Sequence, residues 1–304
     1  MRKIFFVIAA VLLCSIPQPA LAAKEEVKIS FSAGKRVDNL DWSIAGGGVN
    51  ILSELTWKDL ESYQLKGRAR IYIGRVYLRG QAAYAFIVSG ENQDSDYAGN
   101  NRTNEISRSE NRSDSGDFWD LSGGVGYVFR PALTGGRLAI APIAGLSYHR
   151  QNLTITDGFQ TVTSPGFPPL GPFPGLDSTY SASWAGPWAG VDIEYAYKRL
   201  TVSGSLEYHV AYYNAVANWN LRADFAHPNS FEHWADGSGV VVSLGAEYAL
   251  DDRWSLAGSF DLQDWSTSSG TDRTYFAAGG AADTRLNGVN WDSRAFSLGL
   301  NYRF

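Results

Sequence analysis

Two aspartates that are separated by one residue have the clearest chemical potential in the sequence. They are Asp94 and Asp96, and a serine lies between them. Residues two apart on an extended strand point to the same side, so the two carboxylates would lie close together. Their mutual repulsion would raise the pKa of one of them, which suits a general base that activates water. A polar, solvated loop tip would explain the same residues without any chemistry.

The same segment also permits a calcium-binding interpretation. Four residues have the spacing of positions 1, 3, 6 and 12 of an EF-hand loop, namely Asp94, Asp96, Gly99 and Glu105. Ala98 stands where that loop needs a further ligand, and hard cations need more oxygen ligands than this segment supplies. The sequence therefore favours neither a metal nor a bound cofactor.

Histidine, the commonest general base, is scarce, and the two histidines near carboxylates in a predicted loop, His227 and His233, lie in one segment. His227 follows Asp224 in the segment 217–237, where the two could form a base or part of a metal site. The same segment contains His233, while His209 lies beside Glu207 on a predicted strand. The sequence contains no serine-hydrolase GxSxG, zinc-peptidase HExxH or phosphate-binding P-loop motif.

The first residues have the pattern of a secretory signal peptide. Arg2 and Lys3 precede an apolar run over 4–14, and Ala20-Leu21-Ala22 fits a cleavage site. Removal of residues 1–22 would leave a single domain over 23–304 and change the net charge from −5 to −7. It would also remove the only cysteine, which excludes disulfide and thiol chemistry. An acidic chain also argues against a nucleic-acid partner.

Alternation of apolar and polar residues dominates the rest of the chain. It is typical of strands whose two faces meet different surroundings. The segments are about ten residues long, as membrane-spanning strands require, and a sheet in lipid must close so that every backbone group is paired. The sequence predicts an all-β fold, a closed antiparallel transmembrane barrel. Its ten predicted strands cover 26–45, 50–73, 76–90, 115–130, 137–154, 180–197, 199–216, 238–250, 253–268 and 289–304.

The connections predict which end of the barrel faces outward. Short turns alternate with long loops at 91–114, 155–179, 217–237 and 269–288, and long loops are expected on the extracellular side. The loop 155–179 holds five of the 11 prolines with aromatic residues between them. It is expected to be either a sticky surface segment or a loop that covers its own apolar side chains.

Charged residues recur on the inward face of the predicted barrel. Charges of opposite sign that meet across a narrow lumen are expected to pair and block it, because an unpaired buried charge is costly. This plug disfavours a diffusion pore, although ion or proton transport would use similar residues. The predicted plug consists of Lys66, Arg68, Arg70, Arg79, Asp120, Asp192, Glu194, Glu207, Glu247 and Asp261.

Several short motifs together resemble the omptins, ten-stranded outer-membrane proteases. Asp94 and Asp96 are similar to the omptin Asp-x-Asp-aromatic motif that supplies half of the active site, and Arg150 matches a basic residue of the lipid A site. The other similar segments are Leu55-Thr56-Trp57-Lys58, Leu65-Lys66-Gly67, Gly80, Ala144-Gly145, Pro187-Trp188-Ala189-Gly190 and Asn301-Tyr302-Arg303-Phe304. The resemblance implies an outer-membrane barrel, a possible endopeptidase activity and a possible requirement for lipopolysaccharide.

The resemblance fails at the other half of the active site. Omptins carry an Asp-x-His there, whereas the equivalent positions of this sequence are Asn218 and Asn220. An amide cannot accept a proton as a base, and Asp224 and His227 could substitute only if their loop folds back. Tyr148 likewise replaces an acidic residue of the lipid A site.

These observations leave three functions open. The favoured one is a non-proteolytic recognition, adhesion or structural barrel in the bacterial outer membrane. Its expected partners are outer-membrane lipid, lipopolysaccharide and an extracellular protein that the loops 91–114 and 155–179 would contact. The second is an omptin-type endopeptidase that uses Asp94 and Asp96. The third is a narrow channel for small solutes.

Overall fold

The computed structural model describes residues 25–304, most of which lie in strands. The predicted signal peptide, residues 1–22, lies outside the described residues. The strands are β1 (Glu25–Gly46), β2 (Val49–Ile73), β3 (Val76–Tyr97), β4 (Glu105–Arg112), β5 (Gly116–Tyr127), β6 (Arg137–Val162), β7 (Gly171–Pro172), β8 (Asp177–Tyr197), β9 (Leu200–Asn218), β10 (Phe231–Ala249), β11 (Trp254–Thr267), β12 (Gly270–Tyr275) and β13 (Ala281–Arg303).

Ten of these strands form a closed antiparallel ring. Each pairs with the next in the order β1, β2, β3, β5, β6, β8, β9, β10, β11 and β13. The ring closes because β13 also pairs with β1, from Lys28 opposite Arg303 to Ala45 opposite Arg285. A closed ring leaves no unpaired sheet edge. The predicted all-β barrel of ten antiparallel strands is therefore confirmed.

The outer face of the ring is apolar, as the alternation predicted. Large apolar side chains more than half exposed occur around the ring, including Phe31, Leu65, Leu146, Tyr208, Leu244 and Leu298. Exposed aromatic residues lie at both borders of this band, such as Tyr197 and Trp254 at one and Tyr63 and Trp119 at the other. Aromatic girdles of this kind flank the lipid-facing band of membrane barrels. Among residues 25–304, no helix is long and apolar enough to cross a membrane.

The two ends of the barrel differ in length. We call the end with the short connections, such as the turns at 74–75 and 198–199, the turn end, and the opposite end the extended end. Much of the sequence predicted as loop is strand at the extended end, because β3, β6, β10 and β13 continue beyond the apolar band and β4 and β12 add further pairing. The prediction that 91–114, 155–179, 217–237 and 269–288 are loops throughout is therefore wrong. Backbone pairing continues there because the neighbouring strands extend equally far.

Ion pairs fill the half of the lumen nearer the turn end. Arg79 pairs with Asp192 at 2.7 Å and with Glu207 at 2.6 Å, and Arg70 pairs with Glu194 at 3.1 Å. The remaining contacts of the ten predicted plug residues are Lys66 with Asp261, Arg68 with Gln81, Glu247 with Lys28, and Asp120 with Arg36 and His149. The cavities left between these groups have volumes of only about 40–70 Å³.

Two cations of this ion-pair layer, Lys28 and Arg36, are absent from the predicted set. Both lie on β1, and both are less than a tenth exposed. The spacing of charged residues on β1 could have revealed them. Lys28, Arg36 and Asp38 stand an even number of residues apart and so share one face of the strand.

Aromatic side chains fill the other half of the lumen, above the ion pairs. Trp57 stacks on Tyr180 with ring centroids 5.1 Å apart, and Trp184 packs against Tyr213 at 4.6 Å. We call this the aromatic plug, and its largest members are Trp42, Trp57, Tyr180, Trp184, Tyr213, Phe231, Trp265 and Trp291, all less than a tenth exposed. The interior thus consists of a charged layer and an apolar layer, and only the charged layer was predicted.

Gly116 forms the joint at which β4 gives way to β5. Its φ of +122° lies in a region that favours glycine, and a Cβ there would lie 2.0 Å from the carbonyl oxygen of Asn152. Gly116→Ala should therefore lower the free energy of unfolding by about 1–3 kcal/mol. Urea unfolding of the refolded protein tests this, with Gly80→Ala as the control because nothing lies within 4 Å of a Cβ there. An equal effect at both positions would contradict the explanation.

Candidate functional site

Asp94 and Asp96 face the interior at the extended end. In the register of β2 and β3, Asp94 lies opposite Leu55 and Asp96 opposite Ser53. Leu55 belongs to the buried core and is 1% exposed, and directly opposed residues of an antiparallel pair share a face of the sheet. The two carboxyl groups therefore stand above the aromatic plug, at the start of the part of the lumen that opens outward. We call this region, formed by Asp94, Asp96, Trp219 and Arg222, the acidic cleft.

The pKa values of both aspartates are raised. Burial and the neighbouring charge of Asp96 raise the pKa of Asp94 to about 8, against the opposing effects of Trp219 and Arg222. Burial also raises the pKa of Asp96, and Ser53 and Arg222 oppose the rise. The pair therefore retains a proton near neutral pH. The sequence predicted the direction in which Asp96 shifts the pKa of Asp94, but not the larger contribution of burial.

Trp219 and Arg222 lie across the cleft from the aspartates. Both belong to the turn after β9, in which the amide N–H of Trp219 donates to Ser230 Oγ at 2.9 Å and the amide N–H of Arg222 donates to the carbonyl of Trp219 at 3.0 Å. The Arg222 guanidinium holds Asp224 at 2.8 Å and lies 3.9 Å from the centre of the Phe225 ring. The sequence analysis missed both residues, because only the folded turn directs them towards β3.

The two asparagines at the positions of the omptin Asp-x-His have structural contacts. Asn218 Oδ1 lies 2.7 Å from Nδ1 of His227. The Asn220 amide accepts a hydrogen bond from the backbone N–H of Asp177 at 3.0 Å and donates to the carbonyl of Gly175 at 2.6 Å. Asn220 thus ties the turn after β9 to the segment before β8. Neither amide can act as a base.

His227 and Asp224, the predicted substitutes for the missing base, are engaged elsewhere. The two ring nitrogens of His227 face Asn218 Oδ1 and the carbonyl oxygen of Arg222, the latter at 3.2 Å. Asp224 accepts hydrogen bonds from Arg222. Within residues 25–304, no hydrogen bond joins His227 to Asp94 or Asp96. The loop therefore brings Arg222, and not this histidine, to the aspartates.

His233 is not a loop residue, so its sequence-based placement was wrong. It lies in β10 and is fully buried, with Nδ1 2.9 Å from the Tyr180 hydroxyl and Nε2 3.1 Å from Asp272. Pairing of β10 with β9 and β12 draws this part of the predicted loop into the barrel wall. His209, by contrast, lies as expected beside Glu207, at 3.1 Å.

The calcium interpretation brings together residues that the structure separates. Both carboxylate oxygens of Glu105 accept hydrogen bonds from Arg108 at 2.8 Å. Positive-φ residues at 101, 102 and 104 turn the chain between Asp96 and Glu105. Among the described residues, no cluster of three or more His, Cys, Asp or Glu side chains is arranged to hold a metal ion.

Arg150, the predicted lipid A contact, is exposed on β6. Its guanidinium donates to Asn152 Oδ1 at 2.9 Å and to the Ser181 hydroxyl at 3.1 Å. It lies just beyond the apolar band on the outer surface, and its contact with lipid A stays a prediction.

The fold and the position of the site define the class of protein: a ten-stranded outer-membrane β-barrel with a cleft at its extended end. The model of the Protochlamydia outer membrane protein family, Pom, matches residues 30–304, and the chain belongs to that family. A search of curated proteins finds no match.

Solved structures show the same fold in a distant protein. The outer membrane protease OmpT from Escherichia coli superposes with a TM-score of 0.75 at 15% identity, over 92% of this chain and 97% of that chain. The outer membrane protein OprG from Pseudomonas aeruginosa gives a TM-score of 0.33 at 10% identity, over 93% and 97% of the two chains. At these identities the similarity to OmpT establishes the fold alone.

Asp94→Asn is expected to stabilise the protein, and more so as the pH rises. A carboxyl whose folded pKa is raised favours the folded state at low pH, and that contribution is lost as the pH rises from the unfolded value towards about 8. At pH 8 the substitution should raise the free energy of unfolding by about 1–3 kcal/mol. This is less than the full pKa shift would give, because the two carboxyl groups titrate together. Urea unfolding between pH 5 and 9 measures it. The exposed Asp177→Asn serves as control, and equal, pH-independent effects would contradict the prediction.

Proposed function

We propose that this protein is a non-proteolytic recognition barrel whose acidic cleft binds basic groups of an extracellular ligand. The proposed orientation places the extended end outside the cell and the turn end in the periplasm, as is usual for outer-membrane barrels. The observation that carries the proposal is that Arg222 and Trp219, and no base, face Asp94 and Asp96 across the cleft.

The chemistry of the cleft supports binding over catalysis. Asp94 and Asp96 are too close for both to ionise freely, so a cationic group that enters would replace the shared proton. Arg222 is already held by Asp224 and stacked on Phe225, which limits its ability to neutralise the pair. Leu55 and Trp57 are buried beneath the pair, so the floor of the cleft is apolar and strengthens the attraction between the carboxylates and a cation.

Affinity for a basic peptide should therefore rise with pH. The pKa of Asp94, raised to about 8, means that the cleft gains negative charge as the pH increases from 6 to 9. We expect binding to tighten about tenfold over that range. Fluorescence anisotropy of a labelled peptide with adjacent lysine and arginine measures this, with Asp177→Asn as the matched control. An affinity that is unchanged by pH and by Asp94→Asn would refute the assignment of the cleft.

An endopeptidase is the second candidate, and one observation favours it. Two carboxyl groups that share a proton near neutral pH can act together as general acid and general base on water. This hydrolysis would depend on Asp94 and Asp96 and would not need His227. It predicts cleavage of the bound peptide, with a possible requirement for added lipopolysaccharide.

The channel alternative has less support. The ion-pair layer leaves only small cavities, and the aromatic plug fills the lumen above it. Refolded protein in planar bilayers is expected to give no stepwise conductance. Regular conductance steps that survive removal of detergent contaminants would overturn the proposal of a closed barrel.

A further inference from the structure

The turn end of the barrel carries an excess of exposed cations. Seven basic residues lie in or beside its short turns, and all are exposed. Three acidic residues with described side chains accompany them, Glu26, Asp251 and Asp252. We call the basic set the basic rim, and it consists of Arg75, Arg130, Arg137, Lys198, Arg199, Arg253 and Arg303.

Two of these three acidic residues are already engaged. Asp251 accepts the backbone N–H groups of Arg253 and Trp254, both at 2.8 Å, and thereby caps its turn. Glu26 pairs with Arg303 at 3.3 Å. The positive charge of the rim is therefore only partly compensated.

Aromatic residues of the girdle hold several of these cations at the border of the apolar band. Arg75 donates to the Tyr127 hydroxyl at 3.1 Å, and the Arg253 guanidinium lies 3.4 Å from the Tyr302 hydroxyl. The Lys198 ammonium lies 5.1 Å from the centre of the Tyr197 ring. Tyr127 and Tyr197 are both more than 40% exposed on the outer face. Arg75, Lys198 and Arg253 thus lie beside the outer face of the barrel, whereas Arg130 lies over the ring of the inward-facing Tyr72.

We propose that the basic rim binds the phosphate groups of anionic phospholipids. Two features point to this ligand. The rim is positive and the phosphate groups are negative, and cations beside an aromatic girdle lie at the level of the lipid headgroups in the membrane. Arg75 and Arg253 lose little conformational freedom on binding, because Tyr127 and Tyr302 already hold their side chains. This favours selective binding of anionic lipids in the layer that surrounds the barrel. With the turn end in the periplasm, the lipids would belong to the inner leaflet of the outer membrane.

Lipid selectivity of the full chain in vesicles tests the proposal. The protein is refolded into phosphatidylcholine vesicles that contain spin-labelled phosphatidylglycerol or spin-labelled phosphatidylcholine, and the motionally restricted fraction of each lipid is compared. We expect about a threefold preference for phosphatidylglycerol, weakened in 0.5 M salt because screening shortens the range of the attraction. The triple variant Arg75→Gln, Lys198→Gln, Arg253→Gln should lose the preference.

The matched control removes three exposed basic residues from the other end. Arg102→Gln, Arg112→Gln, Arg285→Gln carries the same change of charge, lies beyond the aromatic girdle of that end and should keep the preference. No preference in the native protein, or equal loss in both variants, would overturn the proposal, as would binding of soluble peptidoglycan fragments that displaces the phosphatidylglycerol. The vesicles are symmetric, so the result does not depend on the proposed orientation or on the function of the acidic cleft.

Discussion

Arg36→Met is expected to lower the free energy of unfolding by about 3–5 kcal/mol, because it leaves buried carboxylates without their cation. Arg36 is 1% exposed, donates two hydrogen bonds to Asp38 at 2.8 and 2.9 Å, and also pairs with Asp120. Trp291 Nε1 donates to the same Asp38 carboxylate at 2.9 Å. The network therefore joins the charged layer to the aromatic plug.

Urea unfolding in lipid vesicles, followed by tryptophan fluorescence, measures the loss. The control is Arg294→Gln, an exposed arginine on β13, which should change the free energy of unfolding by less than about 0.5 kcal/mol. Adding Asp38→Asn and Asp120→Asn to Arg36→Met should recover much of the stability, since the uncompensated charges disappear. A loss below about 1 kcal/mol in the single variant would contradict the role assigned to this arginine.

Trp184→Ala should cost about 3–5 kcal/mol, the usual effect of truncating a large buried aromatic residue. Trp184 is fully buried, and its ring lies 4.6 Å from Tyr213 and 5.7 Å from Trp265. Its indole N–H donates to Gln151 Oε1 at 3.3 Å. The substitution would open a cavity in the aromatic plug that the rigid barrel wall cannot close.

The same unfolding measurement applies, with Tyr212→Ala as the control. Tyr212 lies beside the plug residue Tyr213 on β9, but its side chain is 55% exposed on the outer face. Its loss should cost clearly less, and Trp184→Phe should fall between the two. If Tyr212→Ala lowered the free energy of unfolding more than Trp184→Ala, the aromatic plug would not be the main source of stability in the extended half of the barrel.

The barrel could be predicted from the sequence because lipid imposes a strict pattern. Tyr63 and Leu65 face outward while Gln64 and Lys66 face inward, as the alternation required. The pattern was also sufficient to place ten strands, but it failed at the extended end. There Leu55 and Trp57 are apolar and face inward, so the rule of apolar-out and polar-in no longer applies.

Only one wall of the acidic cleft, the one that carries the aspartates, could be predicted from the sequence. Asp94 and Asp96 were evident from their spacing, and their proximity predicted the direction of the pKa shift of Asp94, although burial is its largest cause. The opposite wall depends on how the turn after β9 is held, for example by the hydrogen bond from Ser230 to the carbonyl of Ala217 at 2.8 Å. Contacts of this kind join residues far apart in the sequence, and no local pattern indicates that Arg222 would replace His227.

The fate of a dibasic peptide at the acidic cleft tests the central claim most directly. A labelled peptide is incubated with the refolded protein and lipopolysaccharide at pH 8, and the bound fraction and the peptide mass are recorded together. We predict that the peptide binds, that Asp94→Asn weakens the binding, and that its mass stays intact. Cleavage that disappears in Asp94→Asn and Asp96→Asn would contradict a recognition barrel and establish a peptidase.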